Sequence, residues 1–126
     1  NIAGDGSFRM NCNELATAVE YELPIIVVIL NNHALGMVKQ WQDLFYDRRF
    51  SQSIIERQTD FVKLAEAYGA VGFNLTRKED VDEVITAALA AKRPVVINCE
   101  IDPEDKVFPF IPPGAAVDEL IMEVNQ

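Results

Sequence analysis

The sequence is poor in the residues that build several common kinds of site. It contains two cysteines, Cys12 and Cys99, and a single histidine, His33. The cysteines lie in no metal-ligand spacing and form no disulfide framework. We therefore expect two small buried residues of a protein in a reducing cytoplasm, where unpaired cysteines are common.

Basic residues are also scarce. Eleven Lys and Arg oppose 20 Asp and Glu, giving a net charge of −9. This balance argues against binding nucleic acid or an anionic membrane through a broad basic surface. An anionic ligand held locally by a metal and backbone amides is still possible. No apolar run is long enough to span a bilayer, since Leu23 to Leu30 is far too short.

What is present suits one globular domain covering residues 1–126. The hydrophobic fraction is 49% and the charged fraction 25%, both ordinary for a soluble protein. The chain opens on Asn1-Ile2-Ala3, which looks like the tail of a strand, with no initiator methionine. We expect the chain to be a fragment of a longer protein.

Apolar periodicity predicts alternating strands and helices. Strands are expected at Ile25–Leu30, Val71–Asn74 and Val95–Glu100, after the strand remnant at the start. The alternation predicts an α/β fold: three layers, with a mostly parallel sheet and helices on both faces.

Helix starts and ends are predicted from capping residues. Expected helices begin at an Asn11/Glu14 capping box, at Met37 (ending at Phe45), at Asp60 (ending at Tyr68, with Gly69 after it), at a Thr76/Glu79 capping box (ending at Ala91) and near Val117 (ending at Glu123).

Two loops that follow predicted strands carry groups suited to a ligand. In open α/β sheets, ligands bind outside the carboxyl ends of the strands. Asp5 offers a carboxylate oxygen and Asn32 an amide oxygen, and oxygen-only sites suit Mg²⁺. Gly4, Gly6 and Gly36 allow close backbone approach. The helix N-termini after both loops favour a diphosphate.

The spacing of these loops resembles the signature of thiamine-diphosphate enzymes, a Gly-Asp-Gly followed 24 residues later by Asn-Asn. Longer segments are similar to the acetolactate synthase family: Gly4 to Phe8, Asn31 to Gln42, and the Pro-rich Phe108 to Gly114. The similarity covers essentially the whole chain and is thinner from Arg48 to Thr59.

The resemblance implies a role for particular residues. Mg²⁺ would be bound by Asp5, the Asn32 side chain and the main-chain carbonyl of Ala34. Met37 would lie against the ring part of thiamine diphosphate, and Trp41 would shape the pocket for the second 2-keto acid. The diphosphate would be contacted by Gly6, Ser7 and the region of Gly36, and Gly4 would also belong to the cofactor-binding site.

It also implies an activity for the full enzyme. Pyruvate is decarboxylated, and the two-carbon unit joins a second pyruvate or 2-ketobutyrate in branched-chain amino-acid biosynthesis. The family's activating glutamate lies in an N-terminal domain and its FAD in a central domain, so no catalytic residue is assigned here and FAD is not expected to bind this domain. The resemblance further implies a cytoplasmic dimer or tetramer, with a possible regulatory subunit. We expect this chain alone to be inactive and to bind cofactor weakly.

Other interpretations stay open. The chain could come from pyruvate oxidase, glyoxylate carboligase or a catabolic acetolactate-forming enzyme without functional FAD, or be a non-catalytic module or regulatory subunit with a flavodoxin-like fold. Met37 and Trp41 could be plain core packing. His33 is expected to be a solvent-facing loop residue, Glu14 a helix cap, and the acidic group from Glu79 to Glu83 a solvated helix face.

Overall fold

The computed structural model describes residues 1–56 and 59–122 and is organised around a parallel sheet. Its four strands lie in the order β1-β2-β4-β3, and every neighbouring pair is parallel. The predicted α/β class is therefore confirmed. The strands are β1 (Ile2–Gly4), β2 (Ile26–Asn31), β3 (Val71–Leu75) and β4 (Val95–Glu100).

Helices connect the strands. None of those described within residues 1–56 and 59–122 combines the length and apolar character needed to cross a membrane. Short 3₁₀ turns occur at Cys12–Glu14, Lys78–Asp80 and Val117–Glu119. The α-helices are α1 (Asp5–Asn11), α2 (Leu15–Glu20), α3 (Gly36–Phe45), α4 (Phe61–Tyr68) and α5 (Val81–Ala90).

Helices cover both faces of the sheet, as predicted. Successive side chains of a strand point to opposite faces, so β2 and β4 contribute to two separate apolar layers. Between the sheet and α1, α2 and α4 lie Phe8, Leu15, Val27, Ile29, Phe61, Ala65, Ala70 and Val96. Between the sheet and α5 lie Leu75, Ala88, Val95 and Ile97.

The predicted ends of α4 are confirmed. The Asp60 carboxylate accepts a hydrogen bond from the Lys63 amide at 3.0 Å. Such a side-chain cap satisfies one of the amides that a helix start leaves without a partner. Gly69 follows the helix with φ of 89°, the left-handed conformation that glycine adopts without a Cβ penalty.

Both predicted capping boxes are wrong. Asn11 is the last residue of α1 and makes no cap hydrogen bond, because the helix already starts at Asp5. Glu14 accepts instead from the Thr17 hydroxyl at 3.3 Å. Near Thr76, the local bonds come from Arg77, whose guanidinium donates to Asp80 at 2.8 and 2.6 Å. In both places a neighbouring polar group replaces the expected cap.

The segment after β4 is fastened to α3. The Lys39 ammonium donates to the Pro103 carbonyl at 2.6 Å and to Glu104 at 2.5 Å. Gln40 exchanges two hydrogen bonds with the backbone of Val107, at 3.0 and 2.8 Å. The helix expected from Val117 to Glu123 is only the 3₁₀ turn Val117–Glu119, and Glu123 lies outside the described residues.

Candidate functional site

The two predicted ligand loops meet at the carboxyl edge of the sheet. Gly4 at the end of β1 lies opposite Leu30 of β2, so Asp5 and Asn32 leave neighbouring strands at the same level. Beside them is a groove of about 620 Å³. Its lining includes every residue predicted to hold the cofactor or metal: Gly4, Asp5, Gly6, Ser7, Asn32, Ala34, Gly36 and Met37.

Glycine lets the two loops pack against each other. A Cβ added at Gly6 would lie 2.9 Å from Leu35 Cδ2 in the other loop. A Cβ at Gly36 would lie 2.9 Å from the Asn32 amide nitrogen, closer than real Cβ atoms approach. Because Gly36 has no side chain, the Asn32 side chain can occupy the space beside it.

Asp5 is a buried carboxylate with an unsatisfied oxygen. The residue is 1% exposed, and its Oδ2 has no hydrogen-bond partner among the described residues. Burial raises the pKa of Asp5 above its ordinary value, against the opposing effects of the Gly6 amide and the Arg9 charge. A buried charge without a partner is costly, so the site suits a bound cation.

Asn32 and Ala34 supply the other candidate oxygens. The Ala34 amide donates to Asn32 Oδ1 at 3.2 Å, which ties the two residues together. Ala34 is buried and bridges to Ile54 through hydrogen bonds of its neighbours. Within residues 1–56 and 59–122, no backbone amide donates to the Ala34 carbonyl. Its oxygen is therefore available as a ligand.

These donors fit Mg²⁺. A carboxylate, an amide oxygen and a main-chain carbonyl are hard oxygen ligands, and Mg²⁺ completes its shell with phosphate oxygens and water. The described part of the chain holds no group of three or more His, Cys, Asp or Glu side chains suited to a metal. A thiolate or imidazole site is thus not what these residues offer.

Residues 1–99 match the protein family described as "Thiamine pyrophosphate enzyme, C-terminal TPP binding domain". The chain belongs to this family. The groove of Asp5 and Asn32 thus lies in a thiamine-pyrophosphate-binding domain.

Curated relatives agree with the family assignment. The acetolactate synthase isozyme 3 large subunit of Escherichia coli K12 is 44% identical over 94% of this chain and 21% of its own length. The acetolactate synthase of Mycobacterium avium is 47% identical over 94% of this chain and 20% of its own length. The chain spans about a fifth of the length of the relatives that it matches.

A solved structure shares the fold. The thiamine diphosphate-dependent 4-hydroxybenzoylformate decarboxylase of Rhodococcus jostii RHA1 superposes with a TM-score of 0.72 at 30% identity. The match covers 82% of this chain and 20% of that one. The similarity supports the assignment of this chain to a thiamine-pyrophosphate-binding domain.

His33 of this thiamine-pyrophosphate-binding domain is not the solvent-facing loop residue expected. Its side chain is 23% exposed, and Nε2 lies 2.5 Å from Glu100 Oε2. Glu100 ends β4 directly opposite Asn31 of β2. The sequence separates these residues widely, so only the parallel register brings Glu100 to the loop.

Met37 and Trp41 occupy different surroundings. Met37 is 46% exposed and lines the groove, where a cofactor contact is sterically open. Trp41 is absent from the groove lining and packs edge-to-face with Phe45 and Phe110, at centroid distances of 6.2 and 6.3 Å. Trp41 is thus a partly buried residue that packs against aromatic neighbours, and its role in a substrate pocket stays a prediction.

Sequence reasoning missed two sets of residues outside the lining of the groove. Arg9 lies one helical turn after Asp5 on α1, and its guanidinium sits 5.7 Å from the centre of the Phe61 ring. The i, i+4 spacing was the available signal. Polar residues also end the strands of one sheet face: Asn31, Asn74, Asn98 and Glu100. The sequence pattern that could have revealed them is a polar residue among apolar ones within a strand, as at Asn98 and Glu100 of β4.

Proposed function

We propose that this chain is the thiamine-diphosphate-binding part of an acetolactate synthase large subunit and that it binds the cofactor through Mg²⁺. The supporting observation is the groove itself, which joins Asp5, Asn32 and Ala34 in a chain 37–47% identical to acetolactate synthases over most of its length. The proposed substrates are pyruvate and 2-ketobutyrate.

The residues of the groove have separate tasks in this proposal. Asp5, the Asn32 side chain and the Ala34 carbonyl bind the metal, which neutralises the diphosphate. Gly4, Gly6, Ser7 and Gly36 leave room for the diphosphate, and Met37 supports the ring part. When bound, thiamine diphosphate supplies the carbanion and the electron sink for decarboxylating a 2-keto acid. This domain anchors and orients the cofactor.

Other parts of the reaction belong elsewhere in the proposed enzyme. The lining of the groove includes no glutamate, and we assign the glutamate that activates the cofactor to an N-terminal domain, with FAD in a central one. We propose a homo-oligomer in the cytoplasm, with a possible regulatory subunit. The isolated chain would then form no acetolactate, and it would bind thiamine diphosphate weakly because it contacts only one end of the cofactor.

Product analysis tests the proposal. The full-length protein is incubated with pyruvate, thiamine diphosphate and Mg²⁺, and then with 2-ketobutyrate added. Acetolactate, and acetohydroxybutyrate in the second reaction, are expected. Oxidative formation of acetate or acetyl phosphate would point to a pyruvate oxidase instead.

Two further substrates separate the remaining alternatives. Condensation of glyoxylate would indicate a glyoxylate carboligase. Release of 4-hydroxybenzaldehyde from 4-hydroxybenzoylformate would indicate a decarboxylase like the solved structure. Absence of any turnover together with absence of cofactor binding would favour the non-catalytic module.

A further inference from the structure

A polar network lies behind the loop that carries the proposed metal ligands. Asn31 of β2 is 3% exposed and Asn98 of β4 is 7% exposed. The Asn31 amide donates to Asn98 Oδ1 at 3.0 Å, and the Asn98 amide donates to Asn74 Oδ1 at 3.0 Å. A buried side-chain amide costs little free energy when its hydrogen bonds are satisfied. The network thus links three neighbouring strands at one edge.

Glu100 joins this network to the loop. Its Oε1 accepts from Asn98 at 2.8 Å and from Asn31 at 3.3 Å. Its Oε2 lies 2.5 Å from His33 Nε2. One carboxylate therefore binds two buried amides on one side and the imidazole of a loop residue on the other.

His33 stands at the centre of the loop in a left-handed conformation. It lies between Asn32 and Ala34, the two proposed ligands from this loop, and has φ of 55°. This left-handed conformation is uncommon for residues other than glycine, although histidine adopts it more readily than most. The His33 amide donates to Asn31 Oδ1 at 3.3 Å, so both its backbone and its ring are held from β2 and β4.

We propose that Glu100 is a positioning residue for the divalent-cation loop: through His33 and Asn31 it holds the turn that aims the Asn32 side chain and the Ala34 carbonyl. The inference rests on the proposed Mg²⁺-dependent cofactor binding. Groups that orient metal ligands from behind alter metal affinity without touching the metal. Neither Asn98 nor Glu100 lines the groove beside Asp5, so the effect runs through the loop.

The test measures Mg²⁺ binding by the full-length protein. Calorimetry with Mg²⁺ at saturating thiamine diphosphate gives the metal Kd, and calorimetry with thiamine diphosphate at saturating Mg²⁺ gives the cofactor Kd. For Glu100→Ala we expect the metal Kd to rise about tenfold. The cofactor Kd at saturating Mg²⁺ should stay within about twofold of the wild type, the scatter of a neutral substitution. Equal weakening of both, or no change in the metal Kd, would overturn the proposal.

Glu100→Gln separates positioning from charge and covers the case in which Glu100→Ala fails to fold. The Gln oxygen can accept from Asn31 and Asn98, and its NH₂ can donate to a neutral imidazole. We expect its metal Kd to stay within about threefold of the wild type, since an orienting contact that survives should retain most of the effect. If the metal Kd of the Gln variant rises about tenfold, as expected for the Ala variant, then the negative charge alone matters. That result would overturn the proposal.

Two further variants locate the effect. Asn74→Ala removes an amide of the same network at its far end from the loop, and its metal Kd should stay within about twofold of the wild type. The double variant Glu100→Ala/His33→Ala should bind Mg²⁺ no more weakly than the weaker single variant, because groups acting through one contact are not additive. Additive losses would contradict action through His33.

The proposed function can fail separately. A wild-type protein without Mg²⁺-dependent cofactor binding would overturn both ideas. Normal wild-type binding that Asp5→Asn abolishes, with Glu100→Ala unaffected, would overturn only the role of Glu100.

Discussion

Two carboxylates, Asp43 in the last turn of α3 and Asp5 at the start of α1, contrast in their partners. Asp43 on α3 has a side chain that is 9% exposed, and it pairs with Lys106 and, at 3.0 Å, with Arg48. Asp5 is 1% exposed, and one of its oxygens has no partner among the described residues. The hydrogen bond from Lys106 lowers the pKa of Asp43, whereas burial raises the pKa of Asp5.

The contrast separates a structural carboxylate from a functional one. The ion pair with Lys106 fastens the segment after β4 to α3, and Arg48 adds a second cation, so the protein itself satisfies the charge of Asp43. Asp5 is held at the carboxyl edge of the sheet without such a partner, a pattern typical of sites that bind a ligand. Adding a cation to Asp5 should therefore stabilise the protein, whereas removing the cations from Asp43 should destabilise it.

The largest expected effect comes from removing the charge of Asp5. Asp5→Asn should weaken Mg²⁺-dependent thiamine diphosphate binding by at least about a hundredfold, since losing a direct ligand costs at least as much as losing a group behind one. The metal-free protein should melt at a higher temperature, because an unpaired buried charge becomes a neutral amide. Calorimetry and thermal melts with and without Mg²⁺ measure both.

Asp43→Asn is the matched control, with the same chemical change at a satisfied site. It should leave Mg²⁺ affinity unchanged and lower the melting temperature. If both variants lose cofactor binding equally, the distinction between the two carboxylates is wrong.

Gly36→Ala tests the space around Asn32. The new Cβ would lie 2.9 Å from the Asn32 amide nitrogen, so the side chain must move. We expect Mg²⁺ affinity to fall about tenfold, as for other losses of ligand orientation. Stability should change little, because the atom that must move is the end of a flexible side chain. Unchanged metal affinity would argue that Asn32 is not held by this contact.

The pH dependence of stability tests the pairing of Asp43. A carboxyl whose folded pKa is lowered contributes stability that is present above its unfolded value and is lost as pH falls through the folded pKa. The wild type should exceed Asp43→Asn in unfolding free energy by on the order of 1 kcal/mol at neutral pH. That difference should shrink below the ordinary value of 3.8. Urea titrations from pH 7 to about pH 3 measure it, and a constant difference would contradict the ion pair.

The smallest expected effect is at Trp41. Its indole Nε1 is buried without a hydrogen-bond partner among the described residues, so Trp41→Phe loses no hydrogen bond. We expect a stability change of about 1 kcal/mol or less for Trp41→Phe, and a larger loss for Trp41→Ala, which also removes the aromatic contacts with Phe45 and Phe110. Chemical denaturation measures both. A changed ratio of acetohydroxybutyrate to acetolactate in the Phe variant would support the predicted substrate-pocket role, and an unchanged ratio would leave Trp41 as packing.

Local patterns predicted the fold more closely than the helix starts. The prediction of a strand at Val95–Glu100 is confirmed, because its first half, Val95 to Ile97, is an apolar run buried on both faces of the sheet. The sequence predicts a ligand loop at Gly4-Asp5-Gly6, whereas helix α1 begins at Asp5 itself. The predicted capping box of Thr76 and Glu79 is absent because another polar pair, Arg77 and Asp80, makes the local hydrogen bonds.

The candidate site was predictable where it depends on adjacent loops and not where it depends on register. Asp5 and Asn32 follow strands that pair directly, so their meeting follows from parallel topology. Glu100 reaches His33 only because β4 lies between β2 and β3, an order that no local pattern indicates. The unsatisfied oxygen of Asp5 likewise depends on what surrounds it in three dimensions.

The position of the bound metal tests the account most directly. Crystals of the full-length protein with thiamine diphosphate and Mn²⁺ in place of Mg²⁺ would give an anomalous signal at the metal. We predict one peak within about 2.0–2.3 Å of a carboxylate oxygen of Asp5, the side-chain oxygen of Asn32 and the carbonyl of Ala34. A peak that is coordinated without Asp5 would contradict the proposed site.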